Sequence, residues 1–169
     1  MQTEAEIETQ FWKSLHGDRT VMLGLTGVED GHSQPMTAQL LEEHEEVGGP
    51  IWFFTSSETD LFRSLGSMHR AVIHFSSKGH ELFAAVDGEL MPVSDRTIID
   101  RLWNKFIAAW FEGGKDDPKL RLLRFDGDRA QIWLNENSAL AGVKILLGRD
   151  PKQEYKGKTA DVRLDTPRR

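Results

Sequence analysis

Ile51-Trp52-Phe53-Phe54-Thr55-Ser56-Ser57 is the stretch on which the fold turns. Its first four residues are bulky and apolar, and Gly48-Gly49-Pro50 stands before them as a breaker. That combination describes a buried strand over residues 51–55. Leu61, Phe62, Leu65 and Met68 then recur at helical spacing, which predicts a helix over 56–68 with Ser57 as its cap. A strand that ends in hydroxyls where a helix begins can seat an anion or a phosphate, because the first helical turn has free N–H groups and a partial positive charge. The same residues also serve as ordinary caps.

Upstream, Thr3 and Glu6 form a capping box for a helix ending at Gly17, with Ile7, Phe11, Trp12 and Leu15 on one face. Strands are expected over 19–26 and 33–40, joined through an Asp30-Gly31 turn; Pro35 marks the second as an edge or a bulge. Downstream, strands are expected over 71–76 and 80–93, with a bulge at Gly88. A helix follows over 95–111, stopped by Gly113-Gly114, whose stripe of Trp103, Phe106, Trp110 and Phe111 reads as core. Trp110 is the exception, since it lies at the helix end beside the glycines. Strands over 120–125 and 129–134 flank a tight Asp126-Gly127-Asp128 hairpin, and Trp133 reads as core. A helix is expected over 138–147. Beyond Asp150 the chain is charged and poor in apolar residues.

Strands joined more often by hairpins than by crossover helices argue for a mainly β fold, an antiparallel barrel with peripheral helices. Residues 1–150 form one domain with an N-terminal helix, and 151–169 form a charged, loosely held tail.

With 169 residues and 38% hydrophobic content, the chain can build a single core. Its net charge of −6 disfavours nucleic acid and anionic membranes as partners. The absence of Cys rules out disulfides and thiolate chemistry. No apolar run approaches a membrane span, and the acidic N-terminus lacks the pattern of a signal peptide, so a cytoplasmic protein is expected. The six His are scattered without ligand spacing, and no metal is expected. No P-loop, G-x-G-x-x-G or G-x-S-x-G string occurs.

Four strings taken together resemble the general stress protein branch of the pyridoxamine 5'-phosphate oxidase-like flavoproteins: Pro35-Met36-Thr37-Ala38-Gln39, Ile51 to Ser56, Trp110 to Pro118, and Ile132-Trp133-Leu134. The resemblance spans roughly residues 5 to 150. It implies an FMN-binding split β-barrel, Greek-key-like, working as a homodimer with the flavin at the subunit interface. It lays Gln34, Pro35, Met36 and Thr37 along the ring. Phe53, Phe54, Thr55, Ser56, Ser57 and Leu61 fall by the ribityl chain and phosphate, and Trp110 reaches over from the other subunit. Members of the branch usually carry Arg where Gln34 stands and often Lys near Leu61, and both departures remove a charge from an anion site. The function implied is an FMN-binding general stress protein, with two forms open: a low-activity flavin oxidoreductase, or a non-enzymatic flavin- or ligand-binding module of the stress response. No catalytic acid or base stands out. The basic residues needed for a substrate phosphate are not found, so pyridoxamine-phosphate oxidase activity is not expected.

Overall fold

The computed structural model describes residues 2–28, 31–135 and 159–164. Among the described residues, seven strands carry the architecture: β1 (Thr20–Leu25), β2 (Gln34–Thr37), β3 (Ile51–Ser56), β4 (His69–Ser76), β5 (Leu82–Val93), β6 (Leu120–Leu134) and β7 (Thr159–Arg163). All pairings are antiparallel, in the order β2-β1-β4-β5-β6-β3, with β7 beside β6. One isolated bridge, Gln39 to Trp52, brings the two ends of this order together, so the sheet curls into a nearly closed barrel. The antiparallel, mainly β expectation is met.

The inside is apolar and well filled. Phe53, Phe125, Leu23, Ile73, Val86, Leu90 and Ile132 are fully buried there. Burying each such side chain contributes about 1.5–3 kcal/mol. Helix α1 (Glu4–Gly17) has the expected capping box, with Thr3 Oγ1 accepting from Glu6 N–H and the Glu6 carboxylate accepting from Thr3 N–H. It packs Ile7, Phe11, Trp12 and Leu15 into the same core.

Four expectations about the elements need correction. First, residues 120–134 form one strand and not a hairpin. β5 pairs with β6 along its whole length, while β3 takes the first part of the opposite edge and β7 the last. Asp126-Gly127-Asp128 is the bend between those parts, where the ladder shifts register opposite Asp87 and Gly88. A Cβ at Gly88 would sit 2.3 Å from the Asp126 carbonyl oxygen, so only glycine allows this approach. The bulge expected at Gly88 is therefore observed.

Second, residues 159–164 are not a loose tail. Ala160, Val162 and Leu164 alternate inward as β7 completes the sheet, an alternation that the surrounding charged residues obscured. Third, the helix expected over 56–68 shortens to α2 (Asp60–Leu65), capped by Thr59 and not by Ser57. Fourth, the helix expected over 95–111 divides into α3 (Arg96–Leu102) and α4 (Lys105–Ala108). Trp103 is extended, and Asn104 Oδ1 accepts from the N–H groups of Phe106 and Ile107, so a second helix begins where the first would have continued. The helix expected over 138–147 and half of the Asp30-Gly31 turn lie outside the described residues.

α3 covers the outer face of β3 and β6. Leu102, Ile98 and Ile99 pack there on Trp52, Leu122 and Phe54. The break before α4 splits the aromatic stripe: Trp103 packs on Phe54 and Phe111, whereas Phe106 and Trp110 face outward, 72% and 84% exposed. Trp133 is also partly exposed, at 37%, against the core expectation.

Candidate functional site

β2 and β3 are the two edges that meet only at the Gln39–Trp52 bridge. There the Gln39 N–H donates to Trp52 O at 2.8 Å, and the Trp52 N–H donates to Gln39 O at 2.9 Å. Continued pairing would set Thr37 against Phe54 and Pro35 against Ser56, but the strands splay apart. Pro35 has no N–H to offer, which removes one rung of any continued ladder. Strand alternation turns the N–H and C=O of Thr37 and Phe54 the same way as those of Gln39 and Trp52, into the gap. The wedge holds a cleft of about 440 Å³, within the range usual for small-molecule sites.

The cleft has two walls. Thr20, Gln34, Pro35, Met36, Thr37 and Gln39 form one, with Phe54, Thr55, Ser56 and Thr59 across the wedge. Phe106, Ile107, Trp110 and Phe111 close it from the side of α4. The break at Asn104 is what brings this second group round: an unbroken helix would have carried Phe106 and Trp110 along the α3 axis.

Eight of the residues singled out in the sequence line this cleft: Gln34, Pro35, Met36, Thr37, Phe54, Thr55, Ser56 and Trp110. Phe53, Ser57 and Leu61 do not. Alternation sends Phe53 into the barrel core, and Leu61 is buried in the same core. Ser57 turns away from the seam, its N–H donating to Lys119 O at 2.8 Å. Thr20, Gln39, Thr59, Phe106, Ile107 and Phe111 line the cleft without having been singled out for it. Gln39 could have been found, because it stands two residues beyond Thr37 and so shares its face. Thr59 could have been found as a cap three residues before Phe62.

Hydroxyl bookkeeping revises the anion-seat expectation. Thr59 Oγ1 donates to Ser56 O at 2.9 Å and accepts from Phe62 N–H at 3.3 Å, which makes it the α2 cap. Its single proton is thereby used, so the 3.2 Å contact with Thr55 Oγ1 must be donated by Thr55. Ser56 Oγ accepts from Glu58 N–H at 3.2 Å and keeps its own proton to give. Of the Thr55, Ser56 and Thr59 hydroxyls, that of Ser56 alone remains able to donate outward.

Gln39 is 6% exposed, and across the bridge from it the buried Trp52 Nε1 has no hydrogen-bond partner among the described residues. The Gln34 amide nitrogen lies 3.3 Å from Met36 Sδ. No lining residue carries a charged side chain. Among the described residues, no cluster of His, Asp and Glu could hold a metal ion, and no helix is long and apolar enough to cross a membrane.

Beside the cleft, the Phe111–Lys119 loop is fixed by Asp117, whose carboxylate accepts from Lys119 N–H at 2.9 Å and Gly113 N–H at 3.0 Å. These two backbone donors, Lys119 first, hold its carboxyl below the usual Asp range.

Comparison with known proteins agrees with this architecture. A general stress family protein of Xanthomonas campestris pv. campestris is 57% identical, with a TM-score of 0.75 over 82% of this chain and 93% of its own. The general stress FMN/FAD binding protein of Xanthomonas citri is 58% identical, with a TM-score of 0.73 over 79% and 92%. General stress protein 26 of Jannaschia sp. CCS1 is 28% identical, with a TM-score of 0.75 over 95% and 99%. Curated proteins give no match. The sequence family described as pyridoxamine 5'-phosphate oxidase like matches residues 6–155, nearly the whole length. By that match and that shared barrel, the chain belongs to the pyridoxamine 5'-phosphate oxidase like family.

Proposed function

We propose that this chain is an FMN-binding general stress protein and that the β2–β3 cleft is its flavin site. The observation that carries the reading is the unclosed seam: a slot between two strand edges, walled by aromatics and offering unpaired backbone donors and acceptors. A flat heteroaromatic ring with polar edges suits such a slot. The relative from Xanthomonas citri, an FMN/FAD binding protein, supports the same ligand. Gln34, Pro35, Met36 and Thr37 flank the ring in this reading, and Thr55 and Ser56 lie toward its ribityl chain. Phe53, Ser57 and Leu61 support these residues from behind.

Bound FMN would supply two-electron redox chemistry. The chain's own part is to hold the ring, orient it and exclude water. No charged side chain lines the cleft to act as acid or base, which favours a flavin-binding module over an enzyme with its own proton-transfer groups.

A homodimer with the cleft at its interface fits the surface. Pro35, Met22, His74, Ala85 and Gln131 stand side by side across β2, β1, β4, β5 and β6 on the outer face. Met22, Phe83 and Trp133 are partly exposed apolar groups on that face, and Phe106 and Trp110 lie nearby. Such an apolar surface is the kind that a second copy covers. Its setting is read as cytoplasmic.

Titration of the purified protein with FMN, followed by flavin absorbance and thermal shift, tests the reading. Saturable stoichiometric binding is expected, and NAD(P)H oxidation with added FMN then separates enzyme from carrier. Trp110→Ala should leave stability within about 0.5 kcal/mol, as at other exposed positions. It should weaken FMN binding about tenfold through lost stacking. Light scattering that gives a monomer mass would remove the shared cleft.

A further inference from the structure

We infer that Asp117 is a positioning residue for Trp110 and acts on ligand binding through that indole, without touching the ligand. The inference rests on the flavin reading above and adds to it the group that holds the cleft's exposed aromatic arm in place.

Trp110 lines the cleft and is 84% exposed. An indole so open has few contacts of its own to fix it, so its place is set by the backbone on either side. Upstream, Asn104 Oδ1 accepts from Phe106 and Ile107 N–H and starts α4. Downstream, the chain turns at once. Trp110 N–H donates to Ile107 O at 3.0 Å, and Gly114 N–H donates to Phe111 O at 3.0 Å. Asp117 closes that turn. One of its carboxylate oxygens takes the Gly113 N–H and the other takes the Lys119 N–H. Lys119 directly precedes β6, so this clip ties the arm to a strand that the barrel holds.

Three further observations single out this carboxylate. The approach is close: a Cβ at Gly113 would lie 2.8 Å from Asp117 Cα, and Gly114 has a φ of +62°, so both glycines serve the closure. The apolar anchor beneath the arm is small, its buried members being Ile107, Phe111 and Leu120. The neighbouring ion pairs, Arg96 with Asp116 and Lys115 with Asp100, are open to solvent, and pairs of that kind contribute little. A carboxylate that accepts from two backbone N–H groups makes charge-assisted bonds, roughly twice as strong as neutral ones.

Asp117→Asn keeps the shape of the side chain but accepts with one oxygen only, which releases one of the two N–H groups. The first measurement needs no ligand. The Trp110 indole N–H resonance of the full-length protein, identified by its loss in Trp110→Ala, should shift in Asp117→Asn. It should stay in place in Asp116→Asn, which removes the same charge one residue away and leaves the clip intact. The second measurement is a double-mutant cycle read by FMN titration. Because Asp117 acts only through the indole, Asp117→Asn should weaken FMN by about threefold, less than the roughly tenfold loss on removing the Trp110 stack. In the Trp110→Ala background it should add nothing. Gly113→Ala, which crowds the same closure from its other end, should reproduce both effects. Losses that multiply, an equal loss in Asp116→Asn, or an unmoved resonance in Asp117→Asn that folds by circular dichroism would overturn the inference. A shifted resonance together with no FMN binding by the unsubstituted protein would uphold the placing of Trp110 by Asp117 and overturn the flavin reading.

Discussion

Between β5 and β6 the ladder runs from Leu82 to Val93, bent once at Gly88; between β2 and β3 it consists of the single bridge from Gln39 to Trp52. Both are seams of the same barrel. The first is filled inside by Val86, Leu90, Phe125 and Ile132 and carries much of the core. The second is left open, and the cleft lies in the opening. Backbone groups satisfied at the β5–β6 seam are free at the β2–β3 seam, so the core and the cleft are drawn from the same kind of edge used in opposite ways. Phe53 and Phe54 express the contrast within one dipeptide, the first facing the core and the second the cleft.

Substitutions can break this contrast. Phe53→Ala should cost about 3–5 kcal/mol in urea unfolding, since it opens a cavity in a fully packed interior. Phe54→Ala, at a half-buried position, should cost clearly less and show its effect in flavin titration. Equal losses in unfolding would mean that the cleft wall is as structural as the core. Gly88→Ala should cost about 1–3 kcal/mol, because the added methyl meets a backbone carbonyl that cannot rotate away. A neutral result would show that the closed seam has slack.

The smallest effect concerns Asp117 and pH. Its carboxyl is held below the ordinary Asp value in the folded protein. The contribution is therefore complete above the unfolded value of about 3.9 and is lost as pH falls through the lower folded value. Gly113 and Lys119 amide resonances should report loosening of this loop only below about pH 4. Asp117→Asn should abolish that transition. A midpoint well above 4 would assign the transition to another group.

Sequence reading succeeded where a local rule was enough. The capping box at Thr3, the strands over 71–76 and 80–93, and the glycine bulge each follow from a few neighbouring residues. It failed where a distant partner decides. Asp126-Gly127-Asp128 has the chemistry of a hairpin, and only the arrival of β3 and β7 on one edge of β6 makes it a bend. The 159–164 segment has too few apolar residues to stand out until β6 gives it an edge to join. In the site, the Pro-Met-Thr strand and Phe54 to Ser56 were legible, whereas Phe106 and Ile107 were not, because they reach the cleft only through the break at Asn104, which the helical spacing of 95–111 conceals.

That shared edge of β6 has a practical consequence. Among the described residues, β7 is what sheathes it from Arg129 to Trp133. A chain shortened to end before Thr159 would present those residues as a bare, adhesive template to its neighbours in solution. Insoluble aggregates are then the expected product of such a deletion, and affinity tags are safer placed ahead of α1 than spliced near β7.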